Sequence, residues 1–326
     1  MSQLLTSAPK GAMTGDVYVE NLGINLEYNR NYRNFLTGKG GMKLTVYIVK
    51  PDLDTCLTAV VLGVGDNDDV LFGDTEAPEE LLSDPAVLCI EAGGSGRVEE
   101  YNFDHHLPGV WLPPACRQAL TWQGSSDSRL ERLVSYVSMV DEGTPIVPAP
   151  GFPSLSGLFS GMLLTEQGVN AQFRAGCRLL REVLGESMDP FGSLPQVPHW
   201  QQYLDAKSDN SRRLGTLLDY AQLFHTRQGR LAALLDFPPD GPRTIGGFAS
   251  LFAEGAEVVI LHDPLFGTPP VRKFTIAGRG VVVADLLPAL ERLEKGWGGR
   301  DAIIGSPRTG TTLDVSCVQD FVVGCL

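Results

Sequence analysis

The sequence predicts an α/β protein of two lobes, a mostly parallel-sheet N-terminal one and a smaller α/β C-terminal one, joined by a linker helix. Three observations lead there. Strand-like and helix-like segments alternate from Met42 to about Gln196, the pattern of strands connected by crossover helices. The Pro-rich stretch Asp189-Pro190-Phe191-Gly192-Ser193-Leu194-Pro195 then breaks the alternation and marks a hinge. At 326 residues the chain also exceeds what one compact core usually holds. The expected bounds are a leader at 1–41, a first lobe at 42–198, a linker helix at 199–222 and a second lobe at 223–326.

The elements follow in order. Residues 1–41 have little apolar periodicity and end Thr37-Gly38-Lys39-Gly40-Gly41. This leader is extraneous to the fold, a misassigned upstream start, or an arm packing on a neighbour. Leu44-Thr45-Val46-Tyr47-Ile48-Val49 is rich in β-branched and aromatic residues, a strong strand signal. It runs through Lys50-Pro51-Asp52-Leu53-Asp54 into a helix from Thr55 to about Val64. Ala86-Val87-Leu88-Cys89-Ile90 is a second buried-type strand, ending at Glu91-Ala92-Gly93-Gly94. Val98 to Phe103 reads as a short strand ahead of Asp104-His105-His106. Helices are expected at Ala77–Leu82, Pro114–Trp122, Ser128–Val140 and Thr165–Leu184. In the second lobe, strands near Arg230–Leu235, Val258–Leu261 and Arg272–Ile276 precede a helix at Leu286–Lys295 and a loop at Gly298-Gly299-Arg300.

Composition narrows the function classes. No stretch of about 20 apolar residues suggests a membrane span, and no basic-then-apolar secretory signal opens the chain. Cysteines 56, 89, 116, 177, 317 and 325 form no C-x-x-C pair, the pattern of reduced, mostly buried thiols. A cytoplasmic location is expected. A net charge of −13 disfavours binding to long duplex nucleic acid, which needs many Lys and Arg contacts to phosphate. Short anionic substrates are less restricted, because bound metal and a few arginines create a local positive pocket.

Carboxylates and imidazoles recur at element ends, where crevices open in α/β sheets. Asp52 and Asp54 come after the first strand, Glu91 after the second, Asp104-His105-His106 after the third, and Asp141-Glu142 at the end of the helix from Ser128. Each has a plainer reading: Asp52 as a helix cap, Glu91 as a solvated strand end, Asp141 as a solvated helix terminus. Their recurrence in one order favours a shared metal site, with oxygen and nitrogen donors suited to Mn²⁺, Zn²⁺ or Fe²⁺. His199, His225 and His262 lack acidic partners at ligand spacing and read as structural or surface residues.

Pro-Asp-x-Asp, then a strand-end carboxylate, then Asp-His-His, then a later Asp, resembles the DHH phosphoesterase superfamily. Trp297 to Ser306, containing Gly298-Gly299-Arg300, is similar to the Gly-Gly-His loop of the DHH-associated C-terminal domain. The resemblance implies a two-domain hydrolase with a dinuclear Mn²⁺ site, acting on short oligonucleotides, cyclic dinucleotides, adenosine bisphosphate, pyrophosphate or polyphosphate. It implies metal ligation by Asp52 at the first ion, by Asp54, His105 and Asp141 at the second, and by Glu91 across both. It places His106 near the substrate phosphate, and Asp104 either behind the histidines or near the attacking water. Arg300, with Arg308 and Arg279, would form an anion-binding wall beside Gly298 and Gly299.

Departures from the pattern matter as much. Ile48 stands where the family has a ligating His, Lys50 where it has Asn, Glu91 where it has Asp, and Arg300 where it has His. Loss of one imidazole implies one firmly held ion, Mn²⁺ with Mg²⁺ or Zn²⁺ also compatible, and a second that is weak or absent. Lys50 is either a charge substitute beside Asp52 or a solvated lysine. The reading is a metal-dependent phosphoesterase for a small phosphoester or short oligonucleotide. Its alternatives are a non-catalytic nucleotide- or phosphate-binding relative and a pyrophosphatase- or exopolyphosphatase-like hydrolase. A homodimer is left open.

Overall fold

The computed structural model describes residues 43–107, 110–240, 246–267 and 269–326. The leader and Met42 lie outside these. The described chain separates into two compact units, one ending at Val197 and the next beginning at Pro198.

The first unit is built on a four-stranded parallel sheet of order β2-β1-β3-β4. Its strands are β1 (Thr45–Ile48), β2 (Asp69–Phe72), β3 (Val87–Ile90) and β4 (Asn102–Phe103). β3 is buried along its whole length, as its unbroken apolar run requires. Helix α1 (Leu53–Val61) comes after β1 and is buried throughout. It begins where Asp52 accepts a hydrogen bond from Thr55 N at 3.0 Å, a side-chain cap on the first turn. Short α2 (Glu79–Leu82) leads into β3; Leu82 and nearby Ala77 pack on Val87 and Cys89. Helices α3 (Ala115–Gln123), α4 (Ser128–Asp141), α5 (Leu155–Thr165) and α6 (Val169–Gly185) complete the unit. α6 locks the turn after α1: the Arg174 guanidinium donates to Gly65 O and Asp68 O, both at 2.7 Å.

Strand register positions the chemistry. Ile48 pairs with Ile90, and Ile90 with Phe103, so β1, β3 and β4 end at one level. The segments leaving these strands therefore emerge along a single sheet edge.

Several expected elements differ. Val98–Phe103 is not one strand: Val98–Glu100 forms a 3-10 turn, Tyr101 turns left-handed at φ 60°, and only Asn102–Phe103 pairs. Adjacent Glu99 and Glu100 offer no alternating apolar face, so the pairing begins late. The helix expected at Thr165–Leu184 is α6, starting at Val169 because Gly168, at φ 81°, breaks the chain from α5. α5 leaves no clean helical period in the sequence, its apolar face being interrupted by Ser and Gly. The helix after the first strand starts at Leu53, not Thr55, since Asp52 is its cap.

The second unit opens with a 3-10 turn at Pro198–Trp200 and helix α7 (Gln201–Leu218). A six-stranded mixed sheet comes next, of order β5-β6-β7-β8-β10-β9. It comprises β5 (Gln222–His225), β6 (Leu231–Asp236), β7 (Val258–Phe266), β8 (Val271–Gly278), β9 (Gly298–Arg300) and β10 (Ile303–Gly305). Among the described strand pairs of this second sheet, only β6 and β7 run parallel. Alternation along β6 divides two cores. The helices packed on them are α8 (Phe248–Ala253), α9 (Leu287–Leu293) and α10 (Val315–Cys325). Ala232 and Leu234 join Ile260, Ile276 and Val318 of α10, while Ala233 and Leu235 join Leu214 of α7 and Leu251 of α8. Gly298-Gly299-Arg300 is a strand rather than a loop, paired with Ile303–Gly305. The helix expected at Leu286–Lys295 is the shorter α9, after a 3-10 turn at Val283–Leu286.

All six cysteines are free. No helix among the described residues is long and apolar enough to cross a membrane.

Candidate metal centre

The chain leaves β3 through Glu91, a non-glycine residue at φ 51°. That left-handed conformation costs roughly 1–2 kcal/mol for a residue with a Cβ. It turns the strand end sharply at the sheet edge. Gly93 and Gly94 continue the turn at φ 97° and 69°. A Cβ at Gly94 would lie 2.9 Å from the Asn102 side chain, so the close return to β4 requires glycine there.

Asp104, directly after β4, is buried and pins this turn. It accepts from Gly93 N at 3.1 Å, from the Ser95 hydroxyl, and from His106 N at 2.6 Å. Burial alone would raise its carboxyl, but the hydrogen bonds from His106, Ser95 and Gly93 hold it far below the ordinary carboxylate range. Gln118 of α3 donates to the Asp104 carbonyl at 3.0 Å. Asp104 therefore fixes the two histidines that come after it.

Those histidines meet Glu91 and Asp141. His105 Nε2 lies 3.4 Å from Glu91 Oε1 and 3.3 Å from Asp141 Oδ2. His106 Nδ1 lies 3.4 Å from Glu91 Oε2 and 3.5 Å from Asp104 Oδ1. The rings pack edge to face with centroids 4.7 Å apart. His105 is buried, whereas the His106 side chain is 38% exposed.

Asp54 sits in the first turn of α1. Its carboxylate accepts from Ala115 N at 2.8 Å and Cys116 N at 2.9 Å, the first backbone donors of α3. Burial nevertheless pushes its pKa up to about 6; the Cys116 hydrogen bonds oppose this, and the Asp141 and Asp52 charges add to it. Glu91 is driven well above the ordinary value, chiefly by burial and then by Asp54. Crowded carboxylates of this kind require a cation or a proton.

Two triads have donor atoms within 4.8 Å of one another: Glu91, His105 and His106, and Asp54, His105 and Asp141. Glu91 Oε1 and His105 Nε2 are buried with no hydrogen-bond partner among the described residues. An orphaned buried polar atom costs about 1–3 kcal/mol, and a bound ion would satisfy both. The donor set, carboxylate oxygen with imidazole nitrogen, suits Mn²⁺, Mg²⁺ or Zn²⁺. The residues fit a divalent ion.

Asp52 joins neither triad. One oxygen caps α1 through Thr55 N, and Oδ2 is 3.1 Å from Lys50 Nζ. Ile48 is wholly buried and apolar. In the second unit, Gly298, Gly299 and Arg300 are exposed along β9, and Arg308 is exposed after β10. Arg279 is also exposed, but its guanidinium donates to Phe252 O at 2.8 Å, tying the end of β8 to α8.

Sequence reasoning missed the scaffold of the site more than its donors. Ser95, Gln118 and the Ala115 and Cys116 N–H groups carry no ligand signal in the sequence. Pro113-Pro114 ahead of α3 was the available signal, since proline marks helix starts whose first N–H groups are free for a carboxylate. His262 does have an acidic partner: its Nδ1 is 2.6 Å from Asp236 Oδ1, and its ring stacks on Phe274. The pair sits side by side in the β6–β7 register, 26 residues apart in sequence, which is why neighbouring residues did not reveal it.

No family model matches the sequence, and no curated protein matches it either. Solved structures do resemble the fold. The DHH domain of a protein from a family of ribosomal proteins aligns at TM-score 0.50 and 12% identity, over 89% of this chain and 87% of that one. A pGpG-specific phosphodiesterase, PggH from Vibrio cholerae, aligns at TM-score 0.49 and 14% identity, over 80% of this chain and 92% of that one. RecJ from Thermus thermophilus, solved with Mn²⁺, aligns at TM-score 0.48 and 15% identity, over 92% of this chain and 54% of that one. The described architecture, a parallel four-stranded sheet and a separate mixed sheet with helices, is thus the fold of DHH-domain proteins.

Proposed function

We propose that this protein is a divalent-metal-dependent phosphoesterase acting on a small phosphoester or a short oligonucleotide. The observation that carries the reading is the convergence of Glu91 Oε1 and Asp141 Oδ2 on the buried imidazole of His105, at 3.4 and 3.3 Å from Nε2. Asp54, Glu91, His105 and Asp141 would hold the ion. A bound divalent ion supplies an acidified water and positive charge beside a phosphoryl group. Asp104 holds the histidine pair in place through its hydrogen bonds. His106, partly exposed, is the side chain that would meet a nonbridging phosphoryl oxygen. Arg300, exposed on β9 of the second unit, is proposed to bind phosphate by parallel hydrogen bonds.

One observation favours a second reading, a phosphate-binding protein without turnover. Asp52 is engaged by Lys50 and Thr55 instead of joining the triads. The test is turnover of bis-p-nitrophenyl phosphate, a dinucleotide and pyrophosphate with Mn²⁺, beside His105→Ala and Asp141→Ala. Turnover in the parent that vanishes in both variants supports the enzyme. Saturable binding with no turnover of any of the three supports the binder.

A further inference from the structure

The two triads raise the question of how many ions the centre takes. Both draw on His105, whose Nε2 is the atom near Glu91 and Asp141. One nitrogen lone pair binds one ion. A second ion would therefore draw on His106, the other Glu91 oxygen and, two residues before Asp54, Asp52. That residue is already engaged. Ile48, at the end of β1, presents no donor, and Asp52 Oδ1 is spent on capping α1. Asp52 Oδ2 already faces a cation, the Lys50 ammonium at 3.1 Å.

Lys50 is placed for more than a surface ion pair. Only Pro51 separates it from Asp52, and proline fixes the backbone between them. The ammonium is favoured chiefly by the Asp52 charge, with Glu91 and Asp141 acting in the same direction. Asp52, its partner, caps the helix whose first turn carries Asp54, so the ammonium is held at the start of that helix. Its side chain is 74% exposed, so the ammonium retains N–H groups facing solvent. Lysine carries three such donors on a compact charge suited to phosphate oxygen.

We infer that the centre binds a single divalent ion and that the Lys50 ammonium, tethered on Asp52, stands in place of a second. This inference rests on the proposed metal centre. The ammonium supplies fixed positive charge without needing to be loaded from solution, and it repels a second divalent ion from Asp52. Substrate phosphoryl oxygens would then be held between one ion and one lysine.

Metal counting on the full chain tests it. Metal-depleted protein is titrated with Mn²⁺ while the electron paramagnetic resonance signal of free Mn²⁺ is followed. The wild type is expected to saturate at about one ion per chain. Lys50→Gln, which removes the charge but keeps much of the side chain, is expected to admit a second ion and show a spin-coupled pair. Lys50→Arg is expected to stay at one. Melting curves of the variants check folding, which this exposed position should leave intact. Two ions in the wild type, or one in Lys50→Gln, would overturn the inference while leaving the metal centre standing. No bound Mn²⁺ in the wild type would instead overturn the proposed function itself.

Discussion

His105 and Asp104 are adjacent in sequence and have different tasks. His105 brings a buried, unpartnered nitrogen toward Glu91 and Asp141, whereas Asp104 spends its oxygens on Gly93, Ser95 and His106. Their substitutions should therefore separate. His105→Ala removes a donor at the ion position, and turnover and Mn²⁺ affinity should both fall by more than about 10²-fold, since outer partners alone typically cost about 10–100-fold. Asp104→Asn should weaken Mn²⁺ binding by roughly 10–100-fold, the range for a partner that orients ligands. It should also lower Tm, because the amide replaces an acceptor of the Gly93, Ser95 and His106 hydrogen bonds with a donor. Calorimetric Mn²⁺ titration and thermal melts distinguish the two variants. Equal affinity in Asp104→Asn and wild type would remove Asp104 from the support of the site.

At the scale of elements, the site depends on strands that end together. β1, β3 and β4 stop at the Ile48, Ile90 and Phe103 level, and each leads within a few positions into polar residues of the centre. This much was legible in the sequence, because buried strands read as apolar runs and the charged residues bounding them stand out. The turn connecting β3 to β4 was less so. Its course depends on Glu91 at φ 51° and on the approach of Gly94 to Asn102, which are properties of a closed turn and leave no periodic trace. The Asp54 contacts to Ala115 and Cys116 were illegible for a different reason: they span 61 and 62 residues, and a backbone N–H has no sequence signature. Lys50 and Asp52 are near neighbours, yet only the structure shows that the ammonium turns back onto the carboxylate. Gly94→Ala probes the turn. The Cβ would meet Asn102 at 2.9 Å on a backbone at φ 69°. A loss of about 1–3 kcal/mol and a Tm lower by several degrees are therefore expected in thermal melts. An unchanged Tm would mean that the return to β4 is looser than described.

For the molecule as a whole, the buried carboxylates link stability to pH and to metal. Asp54 titrates in the folded protein at about 6, against an ordinary 3.8. A raised folded-state pKa means the stability contribution is complete below about pH 4 and is lost as pH rises through about 6. Glu91 shifts in the same direction. The metal-free protein should therefore lose stability from Asp54 between about pH 4 and 6. An ion among the carboxylates removes the repulsion, so Mn²⁺ should raise Tm more near about pH 7.5 than near about pH 5. A Tm rise that is the same at both pH values would contradict this linkage.

The most direct test of the central claim is anomalous scattering from a Mn²⁺-soaked crystal of the full chain. A peak coordinated by His105 Nε2, with Glu91, Asp141 and Asp54 around it, is the expected result. A peak elsewhere, or none at saturating Mn²⁺, would contradict it.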